Sequence, residues 1–278
     1  MKTTHPKHIF LFRLLFFIFL IIAVFLSVNI AMNVYSRYSA RMMMEELKDE
    51  KPVPPPDSEV LNPEDSESGQ PKGSSDDIDP NVKVTYIDIS EKPQMLKDLQ
   101  AKNPDTIAWI EIPGTSVDYP VMQADTNSYY LRRTFSRKYN ITGSIFADYR
   151  NSPDFDDQNT VIYGHNMRDG TMFYDVSLFM NDDFYKDNKR IIITLDDRIL
   201  EYTVFSVYET QKDYDYRSPE LESNLFEAKL QEFRNKSLIK SDVPLSEKSR
   251  ILTLSTCSYS FQDARIALHA VLTSITEF

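Results

Sequence analysis

Three stretches of different patterning follow one another along the chain. The first, Leu14 to Met32 (LLFFIFLIIAVFLSVNIAM), is apolar and uncharged throughout. At roughly 1.5 Å per residue, a helix of that length crosses a hydrocarbon core of about 30 Å, so the pattern predicts a transmembrane segment over residues 14–35. The second, Lys51 to Asn81, is dominated by Pro, Asp, Glu and Ser and includes Pro54-Pro55-Pro56. It cannot bury a core and predicts an extended tether, assigned to residues 36–81 with Ser36 to Leu47 able to continue as a short helix. From Val82 to Phe278 short runs rich in Val, Ile, Tyr and Phe alternate with turn residues, which predicts one β-rich domain.

Within that domain the alternation places strands at Ile107 to Ile112, Val117 to Met122, Ser144 to Ala147, Thr160 to Tyr163, Arg190 to Leu195, Ile199 to Tyr208, Ile251 to Ser255 and Arg265 to Ser274. Helical spacing is found at Met95 to Lys102, Met172 to Phe179 and Asp182 to Asn188. The clearest helix is Pro219 to Phe233, inserted between two strands, with Ser218 as cap and Leu221, Leu225, Leu230 and Phe233 along one face. No internal repeat is present.

Charge adds orientation and removes some function classes. Lys2, Lys7 and Arg13 precede the apolar segment, whereas Arg37 and Arg41 follow it beside Glu45 and Glu46. The positive-inside bias therefore places residues 1–13 in the cytoplasm and the rest outside. A cleaved signal peptide is the alternative, but its apolar core is normally about 7 to 15 residues, shorter than this run. The net charge of −11 is concentrated in the tether, where Asp49 to Asn81 holds ten acids against Lys51 and Lys72. The folded remainder is close to neutral and has no basic stripe interleaved with aromatics, which argues against a nucleic-acid partner. No His, Cys, Asp or Glu cluster has metal-ligand spacing, so no metal and no cofactor are expected.

The single cysteine, Cys257, cannot form an internal disulfide. A lone thiol outside a membrane is either buried and inert or kept for its reactivity. Ile251 to Ser260 (ILTLSTCSYS) reads as a buried strand ending in small hydroxylated residues, a rigid mount that suits either role. An ordinary thiol, with a pKa of about 8.5, needs an imidazole or another cation nearby to work at neutral pH. His5 and His8 precede the apolar segment, and His269 in RIALHAVLTSI alternates as a structural strand residue. His165 follows NTVIYG and opens a polar turn, a place where scaffolds expose working side chains, although a lone loop histidine is commonplace. Arg265 comes eight residues after Cys257. If Ser258 to Ala264 joins adjacent antiparallel strands, its guanidinium returns beside the thiol, free to stabilise an oxyanion or to pair with Asp263 or Asp169.

Thr253-Leu254-Ser255-Thr256-Cys257, the downstream Arg265 and the upstream Gly164-His165-Asn166 turn strongly resemble the sortases, in particular class B. The resemblance runs from about Gln94 to the C-terminus. NTVIYGHNMRDGTMF and the helix inserted before the cysteine strand look like class B, while Asp79-Pro80 is followed by Asn81 and not by the aromatic residue of a class C lid. The resemblance implies a mostly β fold: a closed eight-stranded barrel with peripheral helices, one N-terminal and one inserted between two strands, making residues 82–278 the catalytic domain. It also implies that His165, Cys257 and Arg265 converge. Such an enzyme cleaves a C-terminal sorting signal of a secreted protein after a threonine, through a thioacyl intermediate, and transfers the acyl group to an amine of a cell-wall peptide or a pilin subunit. Asn127, Leu131 and Ser255 match the family's substrate groove; Tyr214 and Tyr216 near the inserted helix are not assigned to it. The calcium used by some class A relatives has no basis here.

Two other readings use the same cysteine or none. Papain-like proteases place Cys before His, the reverse of this order, and L,D-transpeptidases resemble S-H-G-C-x-R, whereas here the run is Ser255-Thr256-Cys257-Ser258. A non-catalytic, membrane-tethered β-domain with a buried Cys257 would instead bind a surface partner.

Overall fold

A computed structural model describes residues 6–53, 60–61, 78–87, 95–220 and 223–278. The chain opens with one long helix, α1 (Pro6–Lys48), and a short strand pair, β1 (Val60–Leu61) and β2 (Lys83–Ile87). After α2 (Lys97–Lys102) come β3 (Thr106–Glu111), β4 (Asp118–Met122), β5 (Ile145–Ala147) and β6 (Asn159–Tyr163). A 3-10 helix at Tyr174–Met180 and α3 (Asp182–Asp187) lead to β7 (Arg190–Thr194) and β8 (Arg198–Gln211). The inserted helix α4 (Ser223–Lys236) then precedes β9 (Ile251–Cys257) and β10 (Ala264–Glu277).

Eight strands close into a mixed barrel in the order β10-β8-β7-β3-β4-β5-β6-β9, with β9 returning to β10. Closure removes the open edges that a sheet of this size would otherwise present. All eight strands correspond to the expected apolar runs. β8 and β10 are longer than expected, because they pair along their whole length and bend through bulges at His269/Ala270 and Leu272/Ser274. The far half of β10 also takes β2 as a parallel neighbour, Ser274 to Glu277 against Lys83 to Tyr86.

Two apolar clusters hold the molecule together. The barrel interior is filled by residues such as Ile110, Val121, Ile162, Leu254 and Leu268, all buried, whereas Trp109 is buried on the outer face, where its indole donates to Asp118. The smaller cluster lies outside the barrel wall, where Phe226, Leu230 and Phe233 of α4 cover Phe205, Ala267 and Val271. The buried stripe of α4 thus differs from the expected face: Phe226 occupies it, and Leu225 is 52% exposed. The Ser218 hydroxyl donates to the Asp215 carboxylate and the described helix begins at Ser223; the turn that Ser218 was expected to cap runs through residues 221–222, outside the described residues. Leu221 lies outside the described residues. Met172 to Phe179 forms the 3-10 turn starting at Tyr174, not an α-helix.

The N-terminal helix has two environments. From Phe10 to Val34 its large apolar side chains are exposed, as suits a segment surrounded by lipid. Ala40, Met44 and Leu47, spaced as one helical face, are buried against the barrel. Asn140 Nδ2 donates to the Ser36 carbonyl at 2.8 Å, and Lys51 bridges Glu111 (2.7 Å) and Asp118 (3.0 Å). Residue 36, expected to begin the tether, is therefore inside a continuous helix whose last turns are part of the barrel wall. Most of the tether, residues 54–59 and 62–77, lies outside the described residues.

Candidate active site

Cys257 ends β9, and the β9–β10 register sets Arg265 directly opposite it. Alternation does the rest. Leu252 and Leu254 enter the barrel core, whereas Thr253, Ser255 and Cys257 face the other way, on the side that α4 covers. The thiol is half-buried. Neither expected acid claims Arg265: Asp263 pairs with Lys212 at 2.8 Å, Asp169 accepts from Thr171, and Arg265 Nη1 donates to the Ala264 carbonyl. The connecting loop is fastened from below, since Ser258 and Ser260 both donate to the Glu209 carboxylate.

His165 arrives from the neighbouring strand. β6 runs parallel to β9 with Tyr163 beside Ser255, and Gly164 N donates to the Ser255 carbonyl at 3.2 Å. Glycine is required there, because a Cβ would stand 2.6 Å from the Phe173 ring. The next residues fold back through Phe173 N to the His165 carbonyl (2.9 Å), and Asn166 Nδ2 donates to the Cys257 carbonyl (2.9 Å). Asn166, which sequence reasoning passed over, ties the histidine loop to the cysteine strand. His165 Nε2 lies 2.8 Å from the Leu131 carbonyl. A carbonyl only accepts, so Nε2 carries a proton and Nδ1 is the nitrogen left to gain or lose one. Gly143 holds that carbonyl in place: its φ of +60° is left-handed, and a Cβ would meet the Leu131 oxygen at 2.6 Å.

His165, Cys257, Arg265, Asn127, Leu131 and Ser255 all line one open cleft of about 200 Å³. Their freedom differs. Leu131 is 40% exposed, whereas Ser255 is buried with its hydroxyl on Tyr216 at 2.9 Å. Asn127 accepts from Tyr149 N (3.0 Å) and donates to Asp148 (3.1 Å). Tyr216 itself is buried, and Tyr214 bonds Glu232.

Two residues with no signal in the local sequence complete the walls. Arg217 lines the cleft, and among the described residues lining it there is no carboxylate. Arg217 and Arg265 thus face the cleft with no acid opposite them, an arrangement that suits a developing oxyanion. Asp148 lies beneath, fully buried. It accepts from Arg150, from Asn127 and from the Tyr163 hydroxyl (2.8 Å), and Arg150 in turn donates to the Arg217 carbonyl (2.9 Å). Burial alone would raise its pKa, but the hydrogen bonds from Arg150 and Tyr163 outweigh that and hold the carboxyl below its usual range.

His269 is structural, as its place in the strand pattern implied. It is buried, stacked on Phe233 with ring centroids 4.0 Å apart, and bonded to Tyr208 (2.9 Å) and Thr253 (2.8 Å). Thr253 donates onward to Asn159, whose amide donates to the Tyr216 and Ser218 carbonyls and so fixes the loop bearing Arg217. Burial, with a smaller contribution from Lys229, pushes the imidazole pKa down to about 3. The unfolded chain takes up a proton at its ordinary 6.5 that the folded protein refuses. Stability is therefore expected to fall as pH drops from 6.5 towards 3, with a slope of up to about 1.4 kcal/mol per pH unit from this residue. Urea unfolding of the wild type and of His269→Gln at several pH values measures it, and the variant should show the flatter profile.

Comparison with known proteins agrees with this architecture. A sortase-domain family model matches residues 110–273. Sortase B of Listeria monocytogenes is 42% identical over 163 residues, covering 58% of this chain and 66% of that protein, just under two thirds. Sortase B of Staphylococcus aureus is 35% identical over 215 residues, covering 71% of this chain and 87% of that protein. The crystal structure of sortase B from Bacillus anthracis in complex with AAEK1 superposes with a TM-score of 0.68 at 28% identity, over 86% of this chain and 99% of that one.

Proposed function

This chain belongs to the sortase family, in class B, the cysteine transpeptidases, and from that premise we propose that Cys257, His165 and Arg265 carry out its acyl transfer. The observation that supports the assignment most is the register: Cys257 and Arg265 sit opposite each other on adjacent strands, and His165 lines the same cleft. In this reading the Cys257 thiolate attacks the carbonyl carbon of the peptide bond that follows a threonine in a C-terminal sorting signal. The carbonyl oxygen becomes an oxyanion, which the Arg265 guanidinium stabilises by donated hydrogen bonds. As the C–N bond breaks, the leaving amine takes the proton held at His165 Nδ1, and a thioester remains on Cys257. An amine of a cell-wall peptide or of a pilin subunit then attacks the thioester. Its proton passes to His165, the C–S bond breaks and the thiolate is restored.

The side chain of Leu131 offers an exposed apolar contact for the signal, and Asn127 and Ser255 shape the walls around it. The same reading places residues 1–13 in the cytoplasm, 14–35 across the membrane and the catalytic domain 82–278 outside the cell. The acidic segment 36–81 then joins the two, with its first turns built into the barrel wall.

Incubating the purified domain with a panel of sorting-signal peptides and a nucleophilic amine, and reading intact mass, tests the proposal. The expected result is a Cys257-linked acyl adduct and, with the amine, a ligated product. A panel that yields neither adduct nor ligation would sink it, and would sustain a non-catalytic binding module if Cys257 also resists alkylation in the native protein.

A further inference from the structure

The helix that crosses the membrane in this reading does not let go of the catalytic domain, and that fixes which face of the barrel lies nearest the lipid. The apolar stretch ends at Met32, and the first hydrogen bond between α1 and the barrel is at Ser36, whose carbonyl accepts from Asn140. Four helical residues rise about 6 Å. A headgroup layer is about 5 to 7 Å thick on each side of the hydrocarbon core. The barrel segment around Asn140 therefore stands at headgroup height, while the other end of the docked helix, where Lys51 meets Glu111 and Asp118, lies some 20 Å further out.

The composition of that segment suits such a position. From Thr126 to Ala147 there is no Asp or Glu, and Arg132, Arg133, Arg137 and Lys138 fall within it. Arg137 is paired with Asp105 and Arg133 covers the Tyr129 ring, but Arg132 and Lys138 point from exposed positions, and Tyr139 is 70% exposed. On α1, Tyr35 and Tyr38 are exposed at the same height, with Arg37 and Arg41 just beyond. Asp105 is taken up by Arg137, Asp169 and Glu45 share a small cavity with Arg37 and Arg41, and Glu46 comes later along the helix. Among the described residues neither Arg132 nor Lys138 has an ion-pair partner, so this end of the domain presents exposed cations beside amphipathic rings, the combination an anionic surface attracts within a Debye length of about 8 Å.

We propose that the loop from Leu131 to Asn140 rests in the headgroup layer of the bilayer that α1 crosses, with Arg132, Lys138 and Tyr139 against anionic phospholipid. The inference depends on α1 spanning the membrane. Its consequence concerns the active site, because Leu131 begins this loop and its carbonyl holds His165. The His165 edge of the cleft opens at the lipid surface, and a substrate still held by its own apolar tail reaches the thiol without leaving the membrane.

Site-directed spin labelling of the full chain in vesicles tests this directly. In a Cys257→Ala background, nitroxides are placed through Val24→Cys, Tyr139→Cys and Asp49→Cys, and their depths are read from oxygen and nickel-chelate accessibility. The expected result is a label in hydrocarbon at position 24, at the phosphate level at position 139 and in water at position 49. A label at 139 as water-exposed as that at 49, with 24 in hydrocarbon, overturns the docked loop alone; a label at 24 in water overturns the spanning helix with it. Adding phosphatidylglycerol to phosphatidylcholine vesicles should draw position 139 inward, and Arg132→Glu with Lys138→Glu should cancel that shift. Equal depth in both lipids overturns the anionic-headgroup contact.

Discussion

Replacement of Cys257 by alanine is expected to remove acyl transfer, a loss on the order of 10⁴-fold or more, while leaving the domain folded. The size follows from covalent catalysis: no other cysteine exists in the chain to form the thioester, and members of a catalytic set fail together when one is removed. The intact fold follows from position. The thiol is half-buried at the end of β9, outside both apolar clusters, so its loss opens no core cavity. A change within about 0.5 kcal/mol is expected, or about 2 °C in melting temperature for a domain of this size. Intact mass after incubation with peptide and amine reads the first effect and calorimetry the second. A variant that unfolds would show that the thiol is structural, and one that still ligates would move the nucleophile elsewhere.

Arg265→Ala is expected to lower kcat by about 10² to 10³ with a smaller change in KM, since a donor aimed at an oxyanion acts mainly in the transition state. Arg265→Lys should recover little of it. The planar fork can donate two hydrogen bonds that converge on one acyl oxygen, whereas an ammonium is a compact charge on a mobile stem. The alkylation rate of Cys257 separates the two effects of the charge. If Arg265 serves the oxyanion, small-reagent alkylation of Arg265→Ala stays near the wild-type rate while peptide acylation collapses. A rise in KM with kcat unchanged would make Arg265 a ground-state binding group instead.

Most of the barrel was legible because its strands are short apolar runs bounded by turn residues, buried on both faces even in three-residue β5 and along nearly all of β9. β2 was not, since only four of its five residues pair with the edge that β10 leaves free, and none is fully buried. The stripe of α4 was misread at Leu225, which faces outward while its neighbour Phe226 takes the buried place over the barrel wall. In the cleft, Cys257 and Arg265 share a hairpin, so a spacing in the sequence carries their pairing. Asp148 and Arg217 carry no such signal. The contacts that give them meaning join residues 21 and 67 positions apart, from Asn127 to Asp148 and from Arg150 to Arg217, and no local pattern encodes them. Asn166 could have been found, since it adjoins His165 in the turn that carried the resemblance.

The pairing of β9 with β10 also bears on what keeps the site aligned. Seven consecutive register pairs, from Arg265 opposite Cys257 to Val271 opposite Ile251, lock the two strands, and the segment between Ser258 and Asp263 only caps them. A slip of β9 by one residue against β10 would turn Cys257 inward, away from Arg265, and push Leu252 and Leu254 out of the core, so the strand alignment is under strong constraint. The cap is held by side chains instead: Ser258 and Ser260 donate to Glu209, Tyr259 donates to the Asn166 carbonyl and Asp263 pairs with Lys212. Changes there would loosen the Asn166 turn beside His165 through Tyr259, while the strand register keeps Cys257 and Arg265 face to face.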